Sequence, residues 1–256
     1  MPPIPAPPRR PPTRGPFAHT LTGLLDVLLP APCAGCGADL GQLCPGCRHL
    51  LATARPAPAT ALSWAHAAAP YEGPVRRLLL AHKERGVLRL AGPLGEALAR
   101  AVRSALGPYA GPAPLLLVPV PSARATVRAR GHDPTLRLAG AAAAALRREG
   151  LDARTVPLLR HARPVADQAG LSAAERHRNL DGALTVRPLG RLRRPAPDGH
   201  RPVLVDDLVT TGASLTEAAR ALSAAGLPIT SAATVATALS HQGRSRPRSR
   251  PDAQPG

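Results

Sequence analysis

Aromatic side chains are almost missing from this 256-residue chain, in which Phe17, Trp64, Tyr71 and Tyr109 make up 2% of the residues. A platform that stacks successive nucleobases needs several aromatic faces, so the composition argues against dedicated single-strand binding and leaves Leu, Val and Ala to build the core. Lysine is missing too, except at Lys83; every other basic side chain is Arg. No apolar run reaches the roughly 20 residues that span a bilayer. The segment closest to a secretory or lipoprotein signal is 21–29, behind Arg9 and Arg10. Asp26 interrupts it, and Pro32 rather than a small residue precedes Cys33. A cytoplasmic protein without a membrane span is expected, in which thiols stay reduced.

Acidic residues are also few, 16 against 33 basic, for a formal net charge of +17. Such an excess suits a polyanion, either nucleic acid or a phosphate-rich small molecule. Its placement weakens that reading, because Arg9, Arg10 and Arg14 lie in a Pro-rich head and Arg244, Arg246, Arg248 and Arg250 in the tail. The general preference for Arg, Ala and Pro also matches the codon bias of a GC-rich genome, so charge by itself does not name a partner.

What is present is strongly organised. Residues 1–16 and 241–256 lack hydrophobic period and read as disordered ends. Leu21, Leu24, Leu25 and Leu28 recur at helical spacing and predict a short helix leading into a cysteine module, together 17–51. A Pro- and Ala-rich linker, 52–60, follows. From 61 to 240, predicted strands (115–120, 156–159, 202–207, 231–237) alternate with predicted helices (75–82, 87–106, 134–148, 214–225). That is the pattern of an α/β domain on a largely parallel sheet. The Pro- and Arg-rich segment 187–201 reads as an exposed loop.

All four cysteines fall in one short stretch as Cys33-x2-Cys36 and Cys44-x2-Cys47, two pairs spaced to wrap a tetrahedral zinc ion. Gly35, Gly37 and Gly46 lie in or beside the knuckles, where a side chain would obstruct the tight backbone, and Pro45 stiffens the second knuckle. Nearby His49 is an alternative ligand. With four protein ligands no position is left for substrate, so the zinc would be structural.

The most specific segment is VLVDDLVTTGAS, 203–214. An apolar strand ends in Asp206 and Asp207, whose carboxylates can accept hydrogen bonds from adjacent sugar hydroxyls. Thr210, Thr211 and Ser214 offer hydroxyls to a phosphate, and Gly212 lets the backbone approach closely. The amides from Val209 through Ala213 to Ser214 would face that phosphate at the positive end of the following helix. No Gly-Lys-Ser/Thr follows the strand, which excludes a Walker loop.

This segment matches the phosphoribosyl pyrophosphate motif of type I phosphoribosyltransferases. Three further segments narrow the resemblance: YEGPVRRLLLAHKERG (71–86), LLVPVPSARATVRARGHD (116–133) and QAGLSAAERHRNLDGAL (168–184). Together with the cysteine module, and in the same order, they resemble the ComF family over about residues 17–240. His132 and Asp133 stand where Phe-Asn is frequent, and Leu184 replaces a common Phe. The resemblance implies a type I phosphoribosyltransferase-like fold carrying a small N-terminal zinc module. It also implies a magnesium-dependent site for phosphoribosyl pyrophosphate, with Asp206 and Asp207 holding ribose and metal-bound water. Lys83, Arg124, Arg128 and Arg130 are candidates for the pyrophosphate, with a solvated face the alternative for Arg124 and Arg128. Gln168, Arg176 and Asn179 either touch ligand or fix loops. The family further implies a link to natural competence, DNA uptake and a helicase-like partner. Two functions remain open: a transferase of phosphoribose, or a non-catalytic accessory protein that contacts single-stranded DNA.

Overall fold

The computed structural model describes residues 31–108, 113–165, 172–188, 199–229 and 231–238. The head, the leucine segment 21–28, Gln168 and the basic tail lie outside the described residues, as does most of 187–201.

The chain enters through the cysteine segment into helix α1 (Pro45–Thr53), then an edge hairpin, β1 (Ala57–Ala59) and β2 (Leu62–Pro70). Helix α2 (Gly73–Glu84), a 3-10 turn (Leu88–Leu90) and α3 (Ala91–Leu106) lead to β3 (Leu115–Pro119). A short α4 (Arg124–Arg130) and α5 (Pro134–Arg148) follow, then β4 (Ala153–Thr155), β5 (Leu159–His161), α6 (Ala173–Leu180) and β6 (Leu184–Val186). The chain closes with β7 (Arg201–Val209), α7 (Ala213–Ser223) and β8 (Ala232–Thr237).

Six strands form one sheet in the order β1-β2-β8-β7-β3-β4, parallel from β2 to β4, with β1 antiparallel at the edge. The α/β architecture with a mostly parallel sheet is therefore as the sequence pattern implies. Two local expectations change. Strand β1 forms inside the stretch read as a linker, because Ala57 and Pro58 pair with Ala67 and His66. Of the predicted strand 156–159, residues 156–158 form instead the connection between β4 and β5, and Leu159 begins β5, since a short apolar run does not by itself distinguish a strand from a buried crossing. Strands β5 and β6 make a separate antiparallel pair.

Alternation along the central strands feeds two cores. Leu115, Leu117, Val203 and Val205 face α3 and α5, whereas Leu116, Val118 and Leu204 face α7. Helices α3 and α5 lie side by side on one face; Leu94, Leu98 and Val102 of α3 and Leu138 and Leu146 of α5 are wholly buried. Burial of each such side chain stabilises by about 1.5–3 kcal/mol. Asp133 starts α5 by accepting the Leu136 amide at 3.1 Å, with Pro134 in the first turn.

The two helices approach each other at Gly95, where a Cβ would stand 2.4 Å from Ala141 Cβ and 3.0 Å from its carbonyl carbon. Backbone cannot retreat as a flexible side chain can. Gly95→Ala is expected to cost about 1–3 kcal/mol in urea unfolding, whereas Gly92→Ala, one turn earlier in open space, should leave stability unchanged or slightly raised. Equal stability of the two variants would show that α3 and α5 are not packed this closely.

Candidate functional site

In a sheet of parallel strands the connections are right-handed. Strand β3 continues to its outer neighbour β4 through α5 on one face, and β7 continues the opposite way to β8 through α7 on the other. The loops that leave the carboxyl ends of these paired neighbours, β3 and β7, therefore diverge. The crevice between them is where α/β sheets bind ligands. One wall is the β3 loop, 120–133; the other is the β7–α7 loop.

Asp206 and every residue from Leu208 to Leu215 line one small cleft at the end of β7. Gly212 turns the chain into α7 with φ of 79°, a left-handed conformation that only glycine adopts without strain. A Cβ there would also lie 2.6 Å from Leu62 Cγ, so the loop rests on the edge hairpin. Thr211 Oγ1 accepts the Ala213 amide at 3.4 Å and Thr210 is exposed. The first amides of an α-helix have no intrahelical acceptor, so the open end of α7 offers donors and the positive pole of the helix to an anion.

The adjacent acids do not share one setting. Successive strand residues point to opposite faces, and Asp207, on the side of Val205, meets α2, where Lys83 Nζ donates to its Oδ2 at 2.7 Å. Burial alone would lower the ammonium's pKa; the Asp207 charge and hydrogen bond outweigh it and hold Lys83 above its ordinary value. Asp206 is buried on the loop side, and its Oδ1 accepts the Asp207 amide at 2.8 Å. Burial, reinforced by the Asp207 charge, pushes this carboxyl well above the usual carboxylate range.

The other predicted cations divide. Arg130 makes a two-point ion pair with Glu84, at 2.9 and 2.6 Å, which ties the end of α4 to the residue after Lys83. The side chains of Arg124 and Arg128 are exposed and make no hydrogen bond or ion pair with the described residues. His132 lies between the carbonyls of Arg130 (3.2 Å) and His82 (3.3 Å) and joins the β3 loop to α2. Arg176 and Asn179 lie on α6, and the Asn179 carbonyl accepts from Arg163 at 3.0 Å.

Sequence reasoning missed Glu84, because its importance lies in a partner 46 residues away. It also missed Glu217, a buried carboxylate on α7 that takes the Leu184 amide at 2.9 Å and two bonds from Arg220, fastening β6 to the helix behind the loop. An acid amid the Ala and Leu of a buried helix face was the available signal.

The four cysteines converge as spacing requires: their sulfurs lie within 4.8 Å of one another, with His49 outside the group. Zinc–sulfur bonds of about 2.3 Å put tetrahedral sulfurs about 3.8 Å apart, so the cluster could hold one metal ion. Amides already point at sulfur, Cys44 N to Cys33 Sγ at 3.3 Å and Cys47 N to Cys44 Sγ at 3.4 Å. Against the effect of burial, such amides bring the Cys33 thiol down to about 6, whereas burial and its neighbouring sulfurs push Cys47 up. The first knuckle needs its glycine: a Cβ at Gly35 would sit 2.8 Å from Cys47 Sγ. Cys33, Cys44, Cys47 and Leu51 belong to the same buried core as Leu78 of α2 and Leu94 of α3.

Because the folded state raises the Asp206 pKa, it keeps a proton that the unfolded chain loses above about pH 3.9. Stability from this group therefore falls as pH rises through that value toward the folded one. Asp206→Asn, which keeps an oxygen for the Asp207 amide, should melt above wild type at pH 7, with about 2–4 °C for each kcal/mol recovered. The gap should close as pH falls to 4. Melting curves at the two pH values check this, and a lower melting temperature at pH 7 would show that Asp206 is ionised and usefully paired.

Residues 138–252 match the family model of the phosphoribosyl transferase domain, a stretch that includes the β7–α7 loop. No curated protein matches the chain. Over residues 138–252 the chain is thus similar to a phosphoribosyl transferase domain, and it combines a mostly parallel α/β sheet with four cysteines gathered near its N-terminal side.

Proposed function

We propose that the crevice binds phosphoribosyl pyrophosphate, or a related ribose phosphate, with magnesium, as in a ComF-like phosphoribosyltransferase-family protein. The observation that carries this is the cleft lined by Asp206 and Leu208–Leu215, where left-handed Gly212 opens α7. A phosphate of about the size of the loop's turn would take the free amides and the hydroxyls of Thr210, Thr211 and Ser214. Asp206, which lines the cleft, and Asp207, buried beside Lys83, would be the acids that meet ribose hydroxyls or magnesium-bound water, since this hard ion keeps waters and prefers oxygen. Lys83 and Arg130 would face the diphosphate. In phosphoribosyl transfer the bond from the sugar carbon to pyrophosphate breaks as cationic character develops at that carbon, so cations held at the leaving group favour the step. The cysteine cluster would carry structural zinc, and the setting would be cytoplasmic.

A second reading is an accessory protein for DNA uptake, in keeping with the ComF resemblance, that contacts single-stranded DNA and a helicase-like partner. It is supported by Arg124 and Arg128, exposed on α4 beside the crevice. Both readings keep the ligand loop, and the second adds a surface.

Calorimetric titration with phosphoribosyl pyrophosphate and magnesium is expected to show saturable binding. Asp207→Asn should weaken it about 10- to 100-fold, the worth of a hydrogen bond to a charged group. Absence of binding by folded wild-type protein would sink the ligand reading. For the second reading, single-stranded DNA should bind with affinity that drops steeply with salt, and Arg124→Ala with Arg128→Ala should flatten that salt dependence. An unchanged slope would remove this surface.

A further inference from the structure

Helix α2 touches the cysteine cluster with one part and the acidic strand end with another. The Arg77 Nε donates to the Gly35 carbonyl inside the first knuckle. The same glycine's Cβ position lies 3.3 Å from Leu78 Cγ and 2.8 Å from Cys47 Sγ, so knuckle, sulfur and helix meet without a gap. Cys33, Cys44 and Cys47 share their buried core with Val75, Leu78, Leu79 and Ala81 of this helix. Little more than one turn beyond Leu78, Lys83 reaches Asp207 at 2.7 Å and Glu84 receives Arg130. A helix is stiff over such a span, so a shift at Arg77 and Leu78 is carried to Lys83 as a displacement of comparable size.

We infer that Arg77 and Leu78 are positioning residues which couple metal occupancy of the four cysteines to the anion site, through the placement of Lys83. With the ion bound, the sulfurs draw the knuckle onto α2 and set the rotation and height of the helix. Lys83 then meets Asp207, and Glu84 holds Arg130 toward the crevice. Without the ion, Cys36, the exposed cysteine of the four, and the Gly35 carbonyl lose their fixed place, and the helix loses the contact that sets Lys83. The metal acts at a distance, by position, and takes no part in chemistry at the crevice.

Lys83 is the chain's single lysine, which makes its amine addressable on the full-length protein. The experiment compares zinc-loaded protein, chelator-stripped protein and zinc-loaded Arg77→Ala. The zinc content of each is measured, helicity is followed by circular dichroism, and acetylation of Lys83 by an N-hydroxysuccinimide ester is followed by peptide mass spectrometry. An ion-paired amine reacts slowly; stripping zinc, or Arg77→Ala, should speed labelling about tenfold with helicity retained. The binding arm rests on the reading of the crevice as a ribose-phosphate site. There, phosphoribosyl pyrophosphate with magnesium should bind about tenfold more weakly to the stripped protein, while in Lys83→Ala, stripping should cost nothing further.

Unchanged Lys83 labelling in zinc-loaded Arg77→Ala overturns the inference, and this arm holds even if the stripped protein unfolds. An additive loss in Lys83→Ala overturns it as well, because zinc would then act elsewhere, and so does a purified protein that takes up no zinc. Faster labelling on stripping, in a protein that binds no phosphoribosyl pyrophosphate, would sink the ligand reading and leave the coupling standing.

Discussion

The handedness of strand–helix–strand connections governs where this molecule can work. Strands β3 and β7 are hydrogen-bonded neighbours, yet each proceeds outward in its own direction, and a right-handed turn in opposite directions puts α5 and α7 on opposite faces. The loops at their carboxyl ends must part, and the opening between them receives a helix N-terminus from one side and the arginine-bearing β3 loop from the other. Core packing serves this arrangement. Alternate residues of the same strands feed the two faces, so a shift of one residue in β7 would exchange Asp206 with Asp207 and reverse which acid meets Lys83.

That period of two also divides the labour of the acidic pair. Desolvating two adjacent carboxylates together is costly: Asp207 is given the Lys83 ammonium, and burial beside the Asp207 charge raises the Asp206 pKa well above the usual carboxylate range. A partly buried ion pair of this kind adds little net stability, since desolvation cancels much of the attraction. Its value is positional: it fixes the end of α2 over the strand end, and the neighbouring Glu84–Arg130 pair fixes the β3 loop to the same helix.

The cysteine segment belongs to this frame. Three of its four sulfurs are buried in the core that α2 and α3 build against the sheet, and Arg100 of α3 donates to the Leu51 carbonyl at the end of α1. A chain with so few aromatic residues packs with small side chains, and its helices come close enough to require Gly95 at the crossing of α3 and α5. The cysteine loop closes one end of the same core and packs against α2, the helix that also carries Lys83.

Much of this was legible in the sequence because the deciding interactions are local. Alternation and helical period gave the α/β order, Cys-x2-Cys pairs are close in the chain before they are close in space, and the Asp-Asp…Thr-Thr-Gly string spells a strand end, a left-handed turn and a helix start in consecutive residues. Only the tertiary structure decided that Asp206 is buried while Asp207 meets Lys83, that Glu84 rather than solvent faces Arg130, that Leu62 backs Gly212, and that a supposed linker adds a strand to the sheet edge. Each of these depends on which faces and loops are brought together over tens of residues, and side-chain pairing at that range is set by sheet order and crossover direction, which no local pattern encodes.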